Sequence, residues 1–289
     1  MIALRRVLVL GATGMLGNAM LRLFANSPGH VAFGSARSRG AAFQRLPEQL
    51  RAKVISGVDV EDQDALAKLV DDVRPDAVIN CVGLVKQLSD ADDPLVSIPI
   101  NALLPHRLAR LCKFAGARLV HISTDCVFAG TRGMYVESDV PDATDLYGRS
   151  KCLGEVSAPH AVTLRTSIIG HELASEHGLI GWFLSTHGEV RGFTKAVFSG
   201  LPTVELARVV RDHVLPAADL QGMYHVSADP ISKYELLRLA AAAYGHAVDI
   251  VPDDQFVIDR SLDSSRFREL TGYVPPSWPE LVRRMREFH

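Results

Sequence analysis

Along the first 166 residues, short apolar runs alternate with stretches whose apolar residues recur every three or four positions. The runs are Arg6–Leu10, His30–Gly34, Lys53–Val58, Asp76–Val82, Arg118–Ser123 and Ala161–Arg165. The first, RVLVL, is almost unbroken, as in a strand buried on both faces of a parallel sheet. Helical periods lie between them at Met15–Asn26, Glu61–Val73, Ile98–Ala115 and Leu146–Ala158, and Leu66, Leu69, Val70 and Val73 share one helical face. Such alternation predicts an α/β fold with parallel strands joined by right-handed crossovers. After residue 166 the rhythm breaks. Helical pieces near Leu179–Ser185, Val204–Leu215 and Lys233–Tyr244 are interrupted by Gly and Pro, and Pro275, Pro276 and Pro279 bracket Trp278 before a short terminal helix. The pattern predicts a larger domain over 1–166 and a smaller, mainly helical part over 167–289, some segments of which return to the first.

Composition narrows the function classes. The 289 residues are 47% hydrophobic and 22% charged, as in ordinary globular proteins and unlike disordered ones. With 31 Lys+Arg against 33 Asp+Glu, net charge -2, the chain offers no basic footprint for nucleic acid. No stretch approaches the roughly 20 apolar residues of a membrane span, and the opening MIALRRVLVLGATG carries no signal-cleavage pattern. The four cysteines are scattered without a C-x-x-C pair, which fits a reduced, cytoplasmic setting better than a disulfide framework or structural zinc. No carboxylate or histidine cluster has metal-ligand spacing, and His160 and His171 read as structural.

The first candidate chemistry is VLVLGATGMLG, with glycines at Gly11, Gly14 and Gly17. A glycine-rich turn is either a tight bend or a phosphate cradle. Here it follows the first strand and opens a helix, where free N–H groups and the helix dipole favour a pyrophosphate. The reading is a Rossmann-type doubly wound sheet that binds a dinucleotide through Gly11, Thr13, Gly14, Met15, Leu16 and Gly17. The second strand ends VAFGSARSR, where cofactor choice is usually set. No carboxylate occurs from Val31 to Arg45, whereas Arg37 and Arg39 do. This favours NADPH, with NADH possible, through Ser35 and Arg37; a solvated basic loop is the other reading. Asp59 and Val60 flank the adenine, unless Asp59 is a helix cap. Cys81, Val82 and Gly83 end the fourth strand and complete the cofactor set.

Two further stretches carry reaction chemistry. Ser123-Thr124-Asp125-Cys126 lies at the carboxyl end of the fifth strand, the edge at which open α/β sheets bind ligands. Tyr147 and Lys151 in YGRSK are four apart and share a helix face. A phenol with a pKa near 10 is a poor acid–base group at neutral pH, and a nearby ammonium lowers it. Tyr147 would protonate an alkoxide as hydride arrives, Thr124 would hold the same oxygen, and Lys151 would tune Tyr147 and hold the nicotinamide ribose. An isolated Y-x-x-x-K is otherwise a surface pattern at a helix start.

Together, GATGMLG, the NCVG strand end, Asn101 in IPINALLPHRLA, STDCVF, YGRSK, LRTS at Leu164–Ser167 and SGLPTVELA at Ser199–Ala207 resemble an extended short-chain dehydrogenase/reductase. Within that group the chain is similar to the dTDP-4-dehydrorhamnose reductase family. The resemblance spans the amino-terminal two-thirds and thins to helix placement and DRSLDSSRF beyond it. It implies an oxidoreductase with a Thr124–Tyr147–Lys151 triad that reduces the 4-keto group of a nucleotide-linked 6-deoxyhexose, with dTDP- or UDP-linked substrates, including a UDP-linked 2-acetamido analogue. The expected role is supply of surface-polysaccharide precursors such as O-antigen sugars, and a homodimer is possible. Cys126 stands where the family usually has tyrosine. Dehydratases of similar fold carry Asp-Glu after the threonine, whereas here Asp125 is followed by Cys126. An epimerase and a non-catalytic regulatory subunit are the competing readings. Substrate candidates are Lys86, Cys126, Trp182, Arg191, Lys195 and Arg260, although a tryptophan in the place of Trp182 is more often core. Asn101 either bonds backbone near the site or is a satisfied core amide, and Asp263 reads as a helix N-cap.

Overall fold

The structure is a computed structural model and describes residues 4–84 and 92–289. Seven parallel strands form the central sheet: β1 (Arg5–Leu10), β2 (His30–Ala36), β3 (Val54–Ser56), β4 (Ala77–Asn80), β5 (Arg118–Thr124), β6 (Ala161–Thr166) and a seventh strand, Gly222–His225. Their order is seventh–β6–β5–β4–β1–β2–β3, so the chain reverses direction of travel between β1 and β4. At such a switch point the strand ends splay apart and leave a crevice outside their carboxyl ends.

The period of two along each strand divides the core into two layers. Val7, Val9, Ile79, Val120, Val162 and Leu164 face one side, where they meet Met20, Leu21 and Phe24 of helix α1 (Met15–Ala25). Leu8, Leu10, Val78 and Leu119 face the other, against Leu66, Leu69, Val70 and Val73 of the helix Gln63–Val73 and Leu104, Leu108 and Cys112 of the helix Leu104–Ala115. The shared helical face expected at Leu66–Val73 is therefore the buried one.

Several expected elements differ in detail. The helix expected over Ile98–Ala115 starts with a wide π turn, Ile98–Leu103, before regular helix at Leu104. Pro105 has no N–H to give the Asn101 carbonyl, and a widened turn accommodates the missing bond. The helix expected to reach Ala158 stops at Leu153, where the Gly154 N–H bonds the carbonyls of Ser150 and Lys151. Val204–Leu215 is likewise divided into a helix, Thr203–Val209, and a π turn, Val210–Val214. The cap of the helix Gln63–Val73 is Asp62, which accepts from Asp64 N and Ala65 N; Asp59 instead accepts from Glu61 N, so it is not the helix cap. Ser264, not Asp263, occupies the cap position before Ser265–Thr271, although Asp263 Oδ1 accepts from Ser265 N at 2.7 Å.

Local periodicity left unpredicted the short helices Ala41–Gln44 and Glu48–Arg51, three small sheets, and the seventh strand. That strand comes from well beyond residue 166 and pairs with β6 through Tyr224↔Leu164 and His225↔Arg165. The helices Lys233–Tyr244 and Trp278–Glu287 pack together, and Trp278 Nε1 donates to the Asp229 carbonyl at 2.7 Å. Among the described residues no helix is long and apolar enough to cross a membrane.

Candidate active site

The cofactor end of the crevice is made largely of backbone. After β1 the chain turns at Gly11, whose φ of +75° lies in the left-handed region where glycine carries no steric cost. Gly17, one turn into α1, packs so closely on that turn that a Cβ would stand 2.0 Å from the Gly11 carbonyl oxygen. Gly14 is the N-cap of α1, with no side-chain cap and no acidic residue in the first turn. An uncapped positive helix end, open at an exposed glycine, fits a pyrophosphate. Thr13, Met15 and Leu16 lie in the same turn and first helical residues. Across the crevice, Gly11 faces the end of β4: its Cβ would lie 3.1 Å from Val82 Cγ2 and 3.4 Å from the Cys81 carbonyl carbon. Ser35 is buried, with its carbonyl accepting from Ala12 N at 2.9 Å, and Arg37 is exposed at the carboxyl end of β2. Arg39 is turned away toward Ser56, to which its Nε donates at 2.9 Å. Val60 packs against the core layer that holds Val82.

At the end of β5 the Thr124 hydroxyl donates to Asp125 Oδ1 at 3.1 Å and accepts from Cys126 N at 3.1 Å. The helix Leu146–Leu153, capped by Asp145, lies directly against this turn: a Cβ on Gly148 would fall 2.3 Å from the Cys126 carbonyl oxygen. Only glycine permits that approach, and it places Tyr147 beside Thr124. Lys151 is buried, and its Nζ donates to the Ile122 carbonyl at 2.7 Å. A Cβ on Gly83 would lie 3.8 Å from that Nζ, so the end of β4 meets the lysine. Asn101, in the π turn, accepts from Leu84 N at 3.0 Å and donates to Ser150 Oγ and the Leu84 carbonyl, both at 3.3 Å. Both expectations for Asn101 hold at once: it is a satisfied buried amide, and it ties the β4 loop to the Lys151 helix.

Burial is the largest electrostatic influence on both Tyr147 and Lys151. Burial raises the Tyr147 phenol above its ordinary value; Cys126 adds to this, side-chain hydrogen bonding with Thr124 opposes it, and Asp125 and Asp145 raise it further. The Lys151 ammonium itself is turned to the Ile122 carbonyl. Burial pushes Lys151 itself down to about 8, with Glu155 and Cys81 acting in the opposite sense. Burial raises Asp125, with Arg260 opposing it, and raises Cys126 to about 12. In this geometry Tyr147 is a protonated phenol rather than a phenolate.

The expected substrate residues are scattered. Arg260 is at the site: its Nε donates to the Phe128 carbonyl at 2.8 Å and its Nη1 lies 3.8 Å from Cys126 Sγ. Arg191 and Lys195 pair with Asp253 at 3.5 Å and Asp254 at 3.2 Å on an exposed two-stranded ribbon. Trp182 is 44% exposed and is not a core residue, because its helix buries Ile180 and Phe183 instead. Lys86 lies outside the described residues. His160 bonds the Ala109 carbonyl at 2.7 Å, and His171 bonds the Tyr244 hydroxyl at 2.7 Å. Lys233 was not anticipated. It begins the helix Lys233–Tyr244, is partly buried, and shares the electrostatic environment of Asp125, Cys126 and Arg260. Nothing local in the sequence marks it, since it lies 107 residues beyond Cys126.

Comparison with known proteins gives this arrangement a family. The model described as RmlD substrate binding domain matches residues 5–287. The chain belongs to that family. Its sequence is 33% identical over 186 residues to the probable low-salt glycan biosynthesis reductase Agl14 of Haloferax volcanii, covering 62% of this chain and 59% of that protein. It is 31% identical over 254 residues to methionine adenosyltransferase 2 subunit beta of Danio rerio, covering 83% of this chain and 74% of that protein. The chain thus spans a little over half the length of the first of these relatives, and 42% of the corresponding rat subunit. Among solved structures, dTDP-4-dehydrorhamnose reductase from Bacillus anthracis in complex with NADP superposes with a TM-score of 0.79 at 22% identity, over 98% of this chain and 99% of that one. The Bordetella bronchiseptica enzyme WbmG in complex with NAD and UDP superposes with a TM-score of 0.76 at 19% identity, over 99% and 95% of the two chains. These likenesses confirm the Rossmann-type α/β fold and the resemblance to dTDP-4-dehydrorhamnose reductases.

Proposed function

We propose that this RmlD-family chain is an NADPH-dependent reductase of the 4-keto group of a nucleotide-linked 6-deoxyhexose. The observation that carries the reading is the convergence of Thr124, Tyr147 and Lys151, from β5 and the helix Leu146–Leu153, on the mouth of the glycine-lined crevice. The uncapped start of α1 and the close Gly11–Gly17 contact fit a dinucleotide pyrophosphate. A bound nicotinamide would supply a hydride to the sugar carbonyl carbon. Thr124 and Tyr147 then hold the carbonyl oxygen by hydrogen bonds, and the protonated Tyr147 phenol gives that oxygen its proton as negative charge develops. Lys151, charged below about pH 8, supplies positive charge at the foot of the same helix face. Arg37, exposed beyond β2 with no acidic residue between Val31 and Arg45, fits a 2′-phosphate, which is the ground for NADPH over NADH. Arg260 and Cys126 line the sugar side. A dTDP- or UDP-linked deoxysugar, a cytoplasmic location and a place in surface-polysaccharide synthesis belong to the same proposal.

A second reading has its own support. Methionine adenosyltransferase 2 subunit beta is, by name, a subunit of another enzyme, and it matches over 83% of this chain. On that reading the fold binds a dinucleotide and a partner without turnover. One assay separates the two: NADPH oxidation followed against a panel of dTDP- and UDP-linked 4-keto-6-deoxyhexoses, with product stereochemistry by NMR. Turnover of one member is the expected result. Tight NADPH binding with no turnover of any member would leave the subunit reading standing alone.

A further inference from the structure

Two residues of the recognised motifs have no part in the site so far: the glutamate of YGRSKCLGE and the arginine of LRTS. The structure joins them. Glu155 follows Lys151 by four residues, just past the end of its helix. Its Oε1 accepts from Arg165 Nε at 2.6 Å and from Ser123 Oγ at 2.8 Å, and its Oε2 accepts from Arg165 Nη2 at 2.7 Å. Strand register lines up Ser123, Arg165 and His225 on neighbouring strands. Arg165 Nη1 lies 3.4 Å from His225 Nε2, whose Nδ1 in turn bonds the Tyr135 carbonyl at 2.9 Å, and the guanidinium sits 5.2 Å over the Phe128 ring. The Arg165 and Glu155 side chains are only 3% and 12% exposed.

A buried ion pair of this kind is a poor source of stability, since desolvating both charges offsets their attraction. Its position suggests a different use. Glu155 is fixed by Ser123, the neighbour of Thr124, and by β6, so the pair ties the strand end that bears Thr124 to the helix that bears Tyr147 and Lys151. It is also the one carboxylate acting on Lys151 among the described residues. Among the described residues, the other groups around the ammonium are neutral. From β4 comes the Cys81 thiol, held protonated by burial; from β5 come the Ile122 carbonyl and the His121 ring, held uncharged by burial; from the π turn comes the Asn101 amide, which meets the same Gly83 backbone.

We propose that Glu155, clamped by Arg165 and Ser123, is a positioning residue that keeps Lys151 charged and in register with Thr124. The inference takes from the proposed function only the use to which a charged Lys151 is put, and its test needs no turnover. The Nζ resonance of Lys151 is followed by pH titration in lysine-15N protein and assigned by its loss in Lys151→Arg. Glu155→Gln should lower the Lys151 midpoint by about a unit, the scale of a nearby opposite charge. That variant leaves the Arg165 guanidinium buried and unpaired, which threatens folding. The double variant Glu155→Gln/Arg165→Met removes both charges, should fold, and should show a smaller fall in the same direction, because the guanidinium that opposes the carboxylate leaves with it. A midpoint unchanged from the native protein in either variant overturns the proposal. So does failure of the double variant to fold, because the pair would then serve the fold rather than Lys151. If the midpoint falls while no 4-keto sugar is ever turned over, the inference stands and the reductase reading does not.

Discussion

The two ends of the crevice are built on different principles. The end proposed for the cofactor is mainly local: one turn and the first residues of α1, from Gly11 to Gly17, shape it chiefly with backbone, and its closest contact lies between residues six apart. The end proposed for the sugar is assembled from afar. Asp125 and Cys126, Tyr147 and Lys151, Lys233 and Arg260 come from four separated segments, and what they offer is side chains. A backbone cradle tolerates almost no substitution and recognises what all dinucleotides share. A side-chain lining can be changed residue by residue while the sheet beneath it stays the same, which is how related chains on one fold come to take different substrates.

That contrast can be broken by experiment. The largest effect is expected at the chemical centre. Tyr147→Phe removes the proton donor and should lower NADPH-dependent turnover by about 10²–10⁴-fold. NADPH binding, read by the coenzyme's fluorescence, should persist. If binding is lost together with turnover, the two ends are not separable and the contrast fails.

Gly17→Ala probes the other end. Its Cβ would sit 2.0 Å from the Gly11 carbonyl oxygen, and neither backbone segment can yield without moving α1 against β1. Overpacking of this kind costs on the order of 1–3 kcal/mol or more. A fall in Tm together with at least a tenfold loss of NADPH affinity is the expected outcome. Native affinity in this variant would show that the phosphates lie elsewhere. Arg37→Ala should have the smallest effect. It should narrow the preference for NADPH over NADH by roughly tenfold, the scale of one charge-assisted hydrogen bond, without changing Tm. An unchanged cofactor ratio would return Arg37 to the role of a solvated loop residue.

How much of this was legible depends on the range of the interaction. The six amino-terminal strands and the start of α1 were visible because buried strands and amphipathic helices write their burial into a local period. The Thr124 and Tyr147–Lys151 pairing was legible only through the order of motifs, since β5 and the helix Leu146–Leu153 meet through the contact of Gly148 with the Cys126 carbonyl. Helix ends were misjudged by a few residues, because the choice of cap and stop is made by single local hydrogen bonds that an apolar period does not record. Asp62 rather than Asp59 caps its helix, and the helix carrying Lys151 stops at Leu153. Trp182 faces outward because the packing of Ile180 and Phe183 fixes the rotation of its helix.

By itself the sequence determined the parallel α/β architecture and the glycine turn that opens α1, and it offered the residues proposed for cofactor binding and proton transfer, because each is encoded within about one turn or one strand of chain. The tertiary structure alone decided that the seventh strand returns beside β6, that Arg260 reaches Cys126 with Lys233 in the same electrostatic environment, and that Glu155 is held by Arg165 behind Lys151. It also added a burial effect on Tyr147 that the chain order does not show, and this effect raises the phenol. Charge and desolvation act through space, and the distances that set them exist only once the sheet has brought separated segments together.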